Sequence, residues 1–541
     1  MKVFEAIAAQ LRSEGVGAVF GLMGDGNLKL IPRLAHEEIP FRGARHESGA
    51  VAMSDGYART TGRVGVCTFT QGPGLTNALT ALVSARRGRV PMVVISGDTA
   101  LSVAGLPQDI EQAPFFAACD IPVQPVRPAT AHADVAEAFR RARDEHRPIA
   151  LNLPTDVQEE EAGDTVVASL PSAVVASPEI VGLDAAVEAI AKAERPVIIG
   201  GRGAVTAGIR DELLALGDRV GALLATSLPA NSWFRGHPYA VGIAGGFATD
   251  LGRELIGQAD CVIAFGASLN HFTSRGGTLF SSDATIVQVD LDDTAFGRYV
   301  PTEVGVVGDV GVVARALVER LEPATGFRTD AIRTEIATSA AATPDDSDER
   351  GIDPRALSRE IAALLPAERQ LVVDGGHFMG FPSMDIPVDA PDRFVFTLDF
   401  GSIGLGLGAA IGAAVAHPDR LTVTAIGDGG LMLSLGELDT AVRYKLPMLI
   451  VVYNDESYGA EMHFLRMSGL DEKESRFETP PLDAVARAMG ADGMAVRSLT
   501  DLEGVAPLLA AGLDRPLLLD CRITDEVRAV WLEEAFSRGT H

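Results

Sequence analysis

The runs LTVTAIGDGG (421–430) and LPMLIVVYND (446–455) decide how this chain folds. Each is a short apolar stretch that closes on polar turn residues, and the segment between them has helical spacing. Because both alternating faces of each run are apolar, they read as strands covered on two sides, as in parallel sheets flanked by helices. The same unit recurs in both directions along the chain: VPMVVISGD (90–98), RPIALNLPTD (147–156), RPVIIGG (195–201), ADCVIAFG (259–266), TIVQVDLD (285–292), RQLVVDGG (369–376) and RPLLLDC (515–521). Two stretches break the alternation, 157–179 and 322–351, where acidic, small and Pro residues sustain no apolar face. They are the expected linkers. The chain therefore reads as α/β, with three doubly wound parallel-sheet domains at 1–165, 180–325 and 350–541.

Composition narrows the function classes. The 541 residues are 47% hydrophobic and 22% charged, a globular balance that argues against disorder or low complexity. A formal charge of −27 repels polyanions and anionic lipid, so nucleic acid and membrane surfaces are unexpected partners. A small anion would need a local neutraliser such as a divalent cation or a helix N-terminus. Cys67, Cys119, Cys261 and Cys521 form no CxxC pair; this spacing suits buried free thiols in a reducing compartment, and a cytoplasmic location is expected. Val3, Ile7, Ala8 and Leu11 fall on one stripe of an amphipathic helix, so no signal peptide is expected. No run reaches the roughly 18 apolar residues of a membrane span.

Gly427-Asp428-Gly429-Gly430 carries the most specific chemistry. In open α/β sheets ligands sit beyond the carboxyl ends of strands, so Asp428 and Asn454, each at such an end, can converge. Both are hard oxygen donors of the kind Mg²⁺ takes, with phosphate oxygens and water completing its octahedron. Gly427, Gly429 and Gly430 leave bare backbone where N–H groups can face phosphate. A lone GDG is ordinarily a tight turn; the pairing with Asn454 sets this one apart.

GDG, 24 intervening residues and Asn resemble the thiamine-diphosphate motif, with Asp455 standing where the pattern usually has a second Asn. By this resemblance Asp428, Asn454 and the Glu456 main-chain carbonyl would hold Mg²⁺ against the cofactor's diphosphate. RHESGA (45–50), DGYAR (55–59) and GPGLTN (72–77) resemble the pyrimidine-binding domain of acetohydroxyacid-synthase-like enzymes. Glu47 would then bond the aminopyrimidine N1′ and favour the tautomer that removes the thiazolium proton, with Gly72 and Asn77 beside it. FGSIGLG (400–406) is similar to the turn in which the Gly401 carbonyl accepts from the 4′-amino group and Ile403 wedges between the rings. Gly376 and His377 resemble a further diphosphate-side loop, although a satisfied loop histidine reads nearly as well.

The substrate side of the resemblance is a hybrid. GLMGDGNL (21–28) is similar to the pyruvate-decarboxylase loop whose Asp relays protons, here Asp25, while Asp25-Gly26 is equally a good turn dipeptide. The decarboxylases' His pair has no counterpart around 104–113; Gln108 stands near the synthases' Gln. YGAEMHF (458–464) resembles benzoylformate decarboxylase, with Tyr458 and Gly459 against the cofactor and Tyr458, Met462 and Phe464 as apolar pocket candidates. In the middle domain, GGRGA (200–204) lacks GxGxxG spacing, and Phe265–His271 lacks the Arg of FAD-binding synthases, so a structural role is favoured over flavin. The resemblance implies a thiamine-diphosphate and Mg²⁺ enzyme acting on a 2-oxo acid. It would decarboxylate and then join carbons, as acetolactate synthase does, or alternatively release an aldehyde from an aryl or branched 2-oxo acid. It also implies a homodimer or homotetramer with active sites between subunits. A turnover-free cofactor-binding scaffold and a nicotinamide dehydrogenase are the alternatives of other classes.

Overall fold

The computed structural model describes residues 1–103, 105–172, 179–339 and 345–532. Its eighteen strands form three six-stranded sheets in which every neighbouring pair is parallel. The first sheet comprises β1 (Val19–Gly21), β2 (Phe41–Gly43), β3 (Gly65–Phe69), β4 (Met92–Asp98), β5 (Val123–Pro125) and β6 (Pro148–Pro154), in the order β2-β1-β3-β4-β6-β5. The second holds β7 (Pro196–Gly200), β8 (Leu223–Thr226), β9 (Ala240–Ile243), β10 (Cys261–Phe265), β11 (Thr285–Asp290) and β12 (Val304–Val307), in the order β12-β11-β10-β7-β8-β9. The third holds β13 (Arg369–Val373), β14 (Phe394–Phe396), β15 (Leu421–Gly427), β16 (Met448–Asn454), β17 (Asp492–Val496) and β18 (Leu517–Arg522), in the order β14-β13-β15-β16-β18-β17. Shifted by twelve strands, the third order repeats the first. The middle order is that of the dinucleotide-binding doubly wound fold, which by itself assigns no ligand.

The continuous apolar runs are buried on both faces: all seven residues of β16, and the first six of β4, are shielded from solvent. The helix Val3–Ser13 buries Val3, Ile7, Ala8 and Leu11, the stripe read from the sequence. All four cysteines are buried and unpaired. No described helix is long and apolar enough to cross a membrane.

The first and third domains share a core. The helix Glu47–Thr61, which follows β2, packs on Gly406–Ala416, which follows β14. Glycine brings their backbones into contact: a Cβ on Gly56 would strike the Ala409 carbonyl, and one on Gly412 the Met53 carbonyl. Phe20, Met53 and Tyr57 thereby join Leu407, Ile411 and Ile450 in one apolar cluster.

The expected linkers are more ordered than their composition suggests, in the parts described; residues 173–178 and 340–344 lie outside the described residues. Val167 exchanges two hydrogen bonds of 3.0 Å with the Gln10 side chain, which ties the segment to the first helix. The second stretch contains the helix Asp330–Ser339, which buries no residue.

Helix propensity alone would make Gly412→Ala stabilising by about 1 kcal/mol. Collision with the Met53 carbonyl reverses the sign, and a loss on the order of 1–3 kcal/mol is expected, read by calorimetry as a lower unfolding midpoint.

Candidate active site

A cleft of about 490 Å³ lies beyond the carboxyl ends of β13, β15 and β16. Of the residues singled out from the sequence, Gly376, His377, Gly401, Ile403, Gly427, Asp428, Gly429, Gly430, Tyr458 and Gly459 all border it. Several of these glycines lie close against neighbouring side chains. A Cβ on Gly430 would meet Asp374 Oδ2 at 2.5 Å, one on Gly429 the Tyr458 ring at 3.0 Å, and one on Gly459 the Asp455 carboxylate. Gly401 sits at φ 81°, which disfavours a side chain at the turn before Ile403.

That turn is held by a residue to which the sequence reading gave no role. Asp374, buried at the end of β13, accepts from Gly404 N at 2.7 Å, Gly406 N at 3.0 Å and Thr397 Oγ1 at 3.1 Å. The same loop is tied to the first domain: Arg59 donates to Asp399 at 2.6 Å, and the Arg87 guanidinium lies 4.7 Å from the Phe400 ring centre.

The structure separates the expected metal ligands. Asp428 borders the cleft, but Asn454 does not: its side-chain amide donates to Asp520 Oδ1 at 2.8 Å and its Oδ1 accepts from Glu456 N at 3.2 Å. The Glu456 main-chain carbonyl accepts from Phe477 N at 3.0 Å. Asp455 and Ser457 line the cleft instead. Both carboxylates are nine-tenths buried or more, at 1% and 9% exposure for Asp428 and Asp455. Burial pushes Asp428 up to about 6 against the hydrogen bond it accepts from Thr479 Oγ1 at 2.6 Å. Burial and then repulsion from Asp428 push Asp455 up to about 7. A pair of desolvated carboxylates beside bare glycine backbone fits a divalent cation carrying a diphosphate.

His377 is also buried, and Nε2 accepts from Ala529 N at 3.0 Å. Its ring centre lies 4.3 Å from that of His463, and burial lowers both imidazoles, His463 to about 4 with help from Arg466 and Arg528. Both are neutral at physiological pH. Met462 is fully buried and does not line the cleft, nor does Phe464. The aromatic wall comes from Tyr458 with two residues that sequence spacing could not have brought together, Phe272 of the middle domain and Trp531 near the C-terminus.

A second cluster occupies the first domain. Glu47, 6% exposed at the start of its helix, accepts from Asn77 Nδ2 at 3.1 Å. The exposed Asp25 lies in the turn Asp25–Asn27. Thr70 Oγ1 joins that turn to Gln108, accepting from Gly26 N at 3.0 Å and lying 3.3 Å from Gln108 Oε1. Gly72, at φ 59°, leaves no room for a Cβ against the Gln108 carbonyl. None of Asp25, Glu47, Gly72, Asn77 and Gln108 borders the C-terminal cleft of its own chain. In the middle domain, Gly201 N and Gly203 N donate to the carbonyls of Phe265 and Gly266, and Arg202 reaches the Gly88 carbonyl at 2.7 Å. These amides hold neighbouring loops together.

Comparison with known proteins agrees in all three domains. Residues 1–116 match the thiamine pyrophosphate enzyme N-terminal TPP binding domain, 183–317 the central domain and 375–521 the C-terminal TPP binding domain. The chain is 30% identical to sulfoacetaldehyde acetyltransferase of Castellaniella defragrans, over 94% of this chain and 90% of that protein. It is 28% identical to acetolactate synthase isozyme 3 large subunit of Escherichia coli (strain K12), over 92% and 90%. It is 28% identical to sulfoacetaldehyde acetyltransferase of Rhodobacter capsulatus, over 99% and 97%.

Asp374→Ala would strand the Gly404 and Gly406 amides, at about 1–3 kcal/mol for each buried donor left unpaired. Hydrogen exchange at those two amides is expected to accelerate, and Asp374→Asn, which keeps one acceptor oxygen, to fall between.

Proposed function

The chain belongs to the thiamine pyrophosphate enzyme family, and from that membership we propose that it decarboxylates a 2-oxo acid and transfers the resulting acyl-anion equivalent to an acceptor carbonyl, as its acetolactate synthase relatives' name implies. One observation carries the reading: the glycine-lined cleft and its buried Asp428–Asp455 pair lie at the carboxyl edge of the third sheet, while a buried Glu47 stands on the first. Thiamine diphosphate, when bound, supplies the electron sink for the carbanion left as CO₂ departs.

The chain's own residues supply the rest. Asp428 and Asp455 would hold Mg²⁺; the amides of Gly429 and Gly430 would face phosphate oxygens at the start of the helix Asp428–Ser434. Gly401 and Ile403, fixed by Asp374, would present a carbonyl and an apolar wedge to the two rings. Glu47 would share a proton with the pyrimidine N1′, held in place by the Asn77 amide. Asp25 and Gln108 would face the substrate.

Because Glu47 does not border the cleft of its own chain, a second copy would supply it. Exposed apolar residues flank both halves: Met432, Leu433 and Tyr458 beside the cleft, and Met23, Leu28 and Leu101 around the Asp25 turn. Their burial between two copies would complete two sites per dimer.

The Phe272, Tyr458 and Trp531 wall supports a second reading, decarboxylation of an aryl or branched 2-oxo acid to the aldehyde. Incubation with pyruvate and with benzoylformate separates the two. A hydroxyketone from pyruvate is expected; free benzaldehyde without carboligation would establish the second reading. Glu47→Gln is expected to keep cofactor affinity and to lose roughly 10²–10⁴-fold in turnover, measured as kcat with saturating thiamine diphosphate and Mg²⁺.

A further inference from the structure

We propose that Glu437, in the third domain, is the positioning residue that aims Glu47. The inference rests on reading Glu47 as the carboxylate that shares a proton with the pyrimidine, and concerns what holds that carboxylate in place.

Glu47 is the first residue of its helix, so its direction is set by residues 43–46, the connection that enters the helix from β2. The helix Gly436–Arg443 of the third domain, with Tyr444 after it, clasps that connection. Gly43 N donates to Tyr444 Oη at 2.7 Å, and the Gly43 carbonyl accepts from Arg443 at 2.6 Å. Arg45 gives its side chain to Asp439 at 2.6 Å. Glu437 takes the two amides that lead into Glu47: its Oε1 accepts from Arg45 N at 3.1 Å and from His46 N at 3.0 Å. Its Oε2 accepts from Thr440 Oγ1 at 2.7 Å, which sets the plane of the carboxylate. Glu437 is 3% exposed, and hydrogen bonds from amides to a carboxylate are among the strong ones.

The helix is also shaped to admit this side chain. A Cβ on Gly49 would lie 2.1 Å from Glu437 Oε1 and 2.6 Å from its carboxyl carbon. Glycine weakens a helix relative to alanine; here it leaves the space the carboxylate fills. Glu47 is thus held through its side chain by Asn77 of the first domain, and through its entering backbone by Glu437 of the third.

The alternative is that Glu437 only joins the two domains. Its loss would then lower the unfolding temperature and leave proton transfer at Glu47 unchanged. The experiment follows exchange of the thiazolium C2 proton of bound thiamine diphosphate into deuterium oxide, by quenched-flow proton NMR on the full-length protein with Mg²⁺; it needs no 2-oxo acid. Glu47→Gln sets the floor. Glu437→Ala is expected to slow exchange by about 10²-fold, the cost of a reacting group misplaced by roughly 1 Å, while cofactor affinity stays close to the parent's. Glu437→Gln keeps an oxygen for the Arg45 and His46 amides and is expected to exchange closer to the parent than to Glu437→Ala. Gly49→Ala, which displaces the carboxylate without removing it, is expected to slow exchange in the parent and to add nothing in Glu437→Ala.

Parental exchange in Glu437→Ala, or a Glu437→Gln as slow as Glu437→Ala, overturns the proposal alone. Parental exchange in Glu47→Gln overturns the reading of Glu47 and the proposal with it, and a parent that binds no thiamine diphosphate overturns the reading of the cleft. Thermal melts check the fold of each variant. Should Glu437→Ala not fold, Gly49→Ala decides: slow exchange supports the proposal and parental exchange overturns it.

Discussion

The backbone contact between Glu47–Thr61 and Gly406–Ala416 constrains everything else in the molecule. Glycine at 56 and 412 lets each helix press on the other's carbonyls, so the first and third domains share apolar core and cannot slide independently. This contact fixes where Glu47 faces. The helix that carries Glu47 packs at its middle against the third domain, and Glu47, at its N-terminal end, does not border the cleft of the same chain.

Electrostatics within the cleft follow from its dryness. Asp374, Asp428 and Asp455 all sit deep at strand ends, yet they do different work. Asp374 is surrounded by amides and a hydroxyl and serves as an anchor for the Gly401–Ile403 turn. Asp428 and Asp455 face each other with fewer donors, and burial raises both. The first arrangement gives its charge to backbone donors; the second leaves two buried carboxylates close enough to repel. His377 and His463, held neutral by burial, add polarity without adding positive charge.

Much of this was legible in the sequence because parallel strands buried on both faces write themselves as continuous apolar runs. The glycines of the cleft were legible because they sit at the ends of those runs. Of the neighbouring residues Asn454 and Asp455, the cleft takes the second. Asn454 is still in the strand and bonds sideways to Asp520 on β18, whereas Asp455 is the first residue beyond the ladder and turns toward the cleft. Only register in space separates the two. Asp374 escaped assignment because an anchoring carboxylate looks like any strand-end Asp. Phe272 and Trp531 escaped because nothing local marks residues that converge from opposite parts of the chain. The ordered strap at Val167 was hidden by its small-residue composition.

The matching strand orders of the first and third sheets carry a consequence of their own. Superposed by order, β2 corresponds to β14 and β3 to β15, so Glu47 and the Gly401–Ile403 turn occupy equivalent stations, as do Gly72 and the Asp428 turn. The two helices in backbone contact are then equivalent elements too, meeting as they would across a twofold axis. The chain thus carries one strand order twice, in its first and third domains, joined through the helix that each copy sets at the same station.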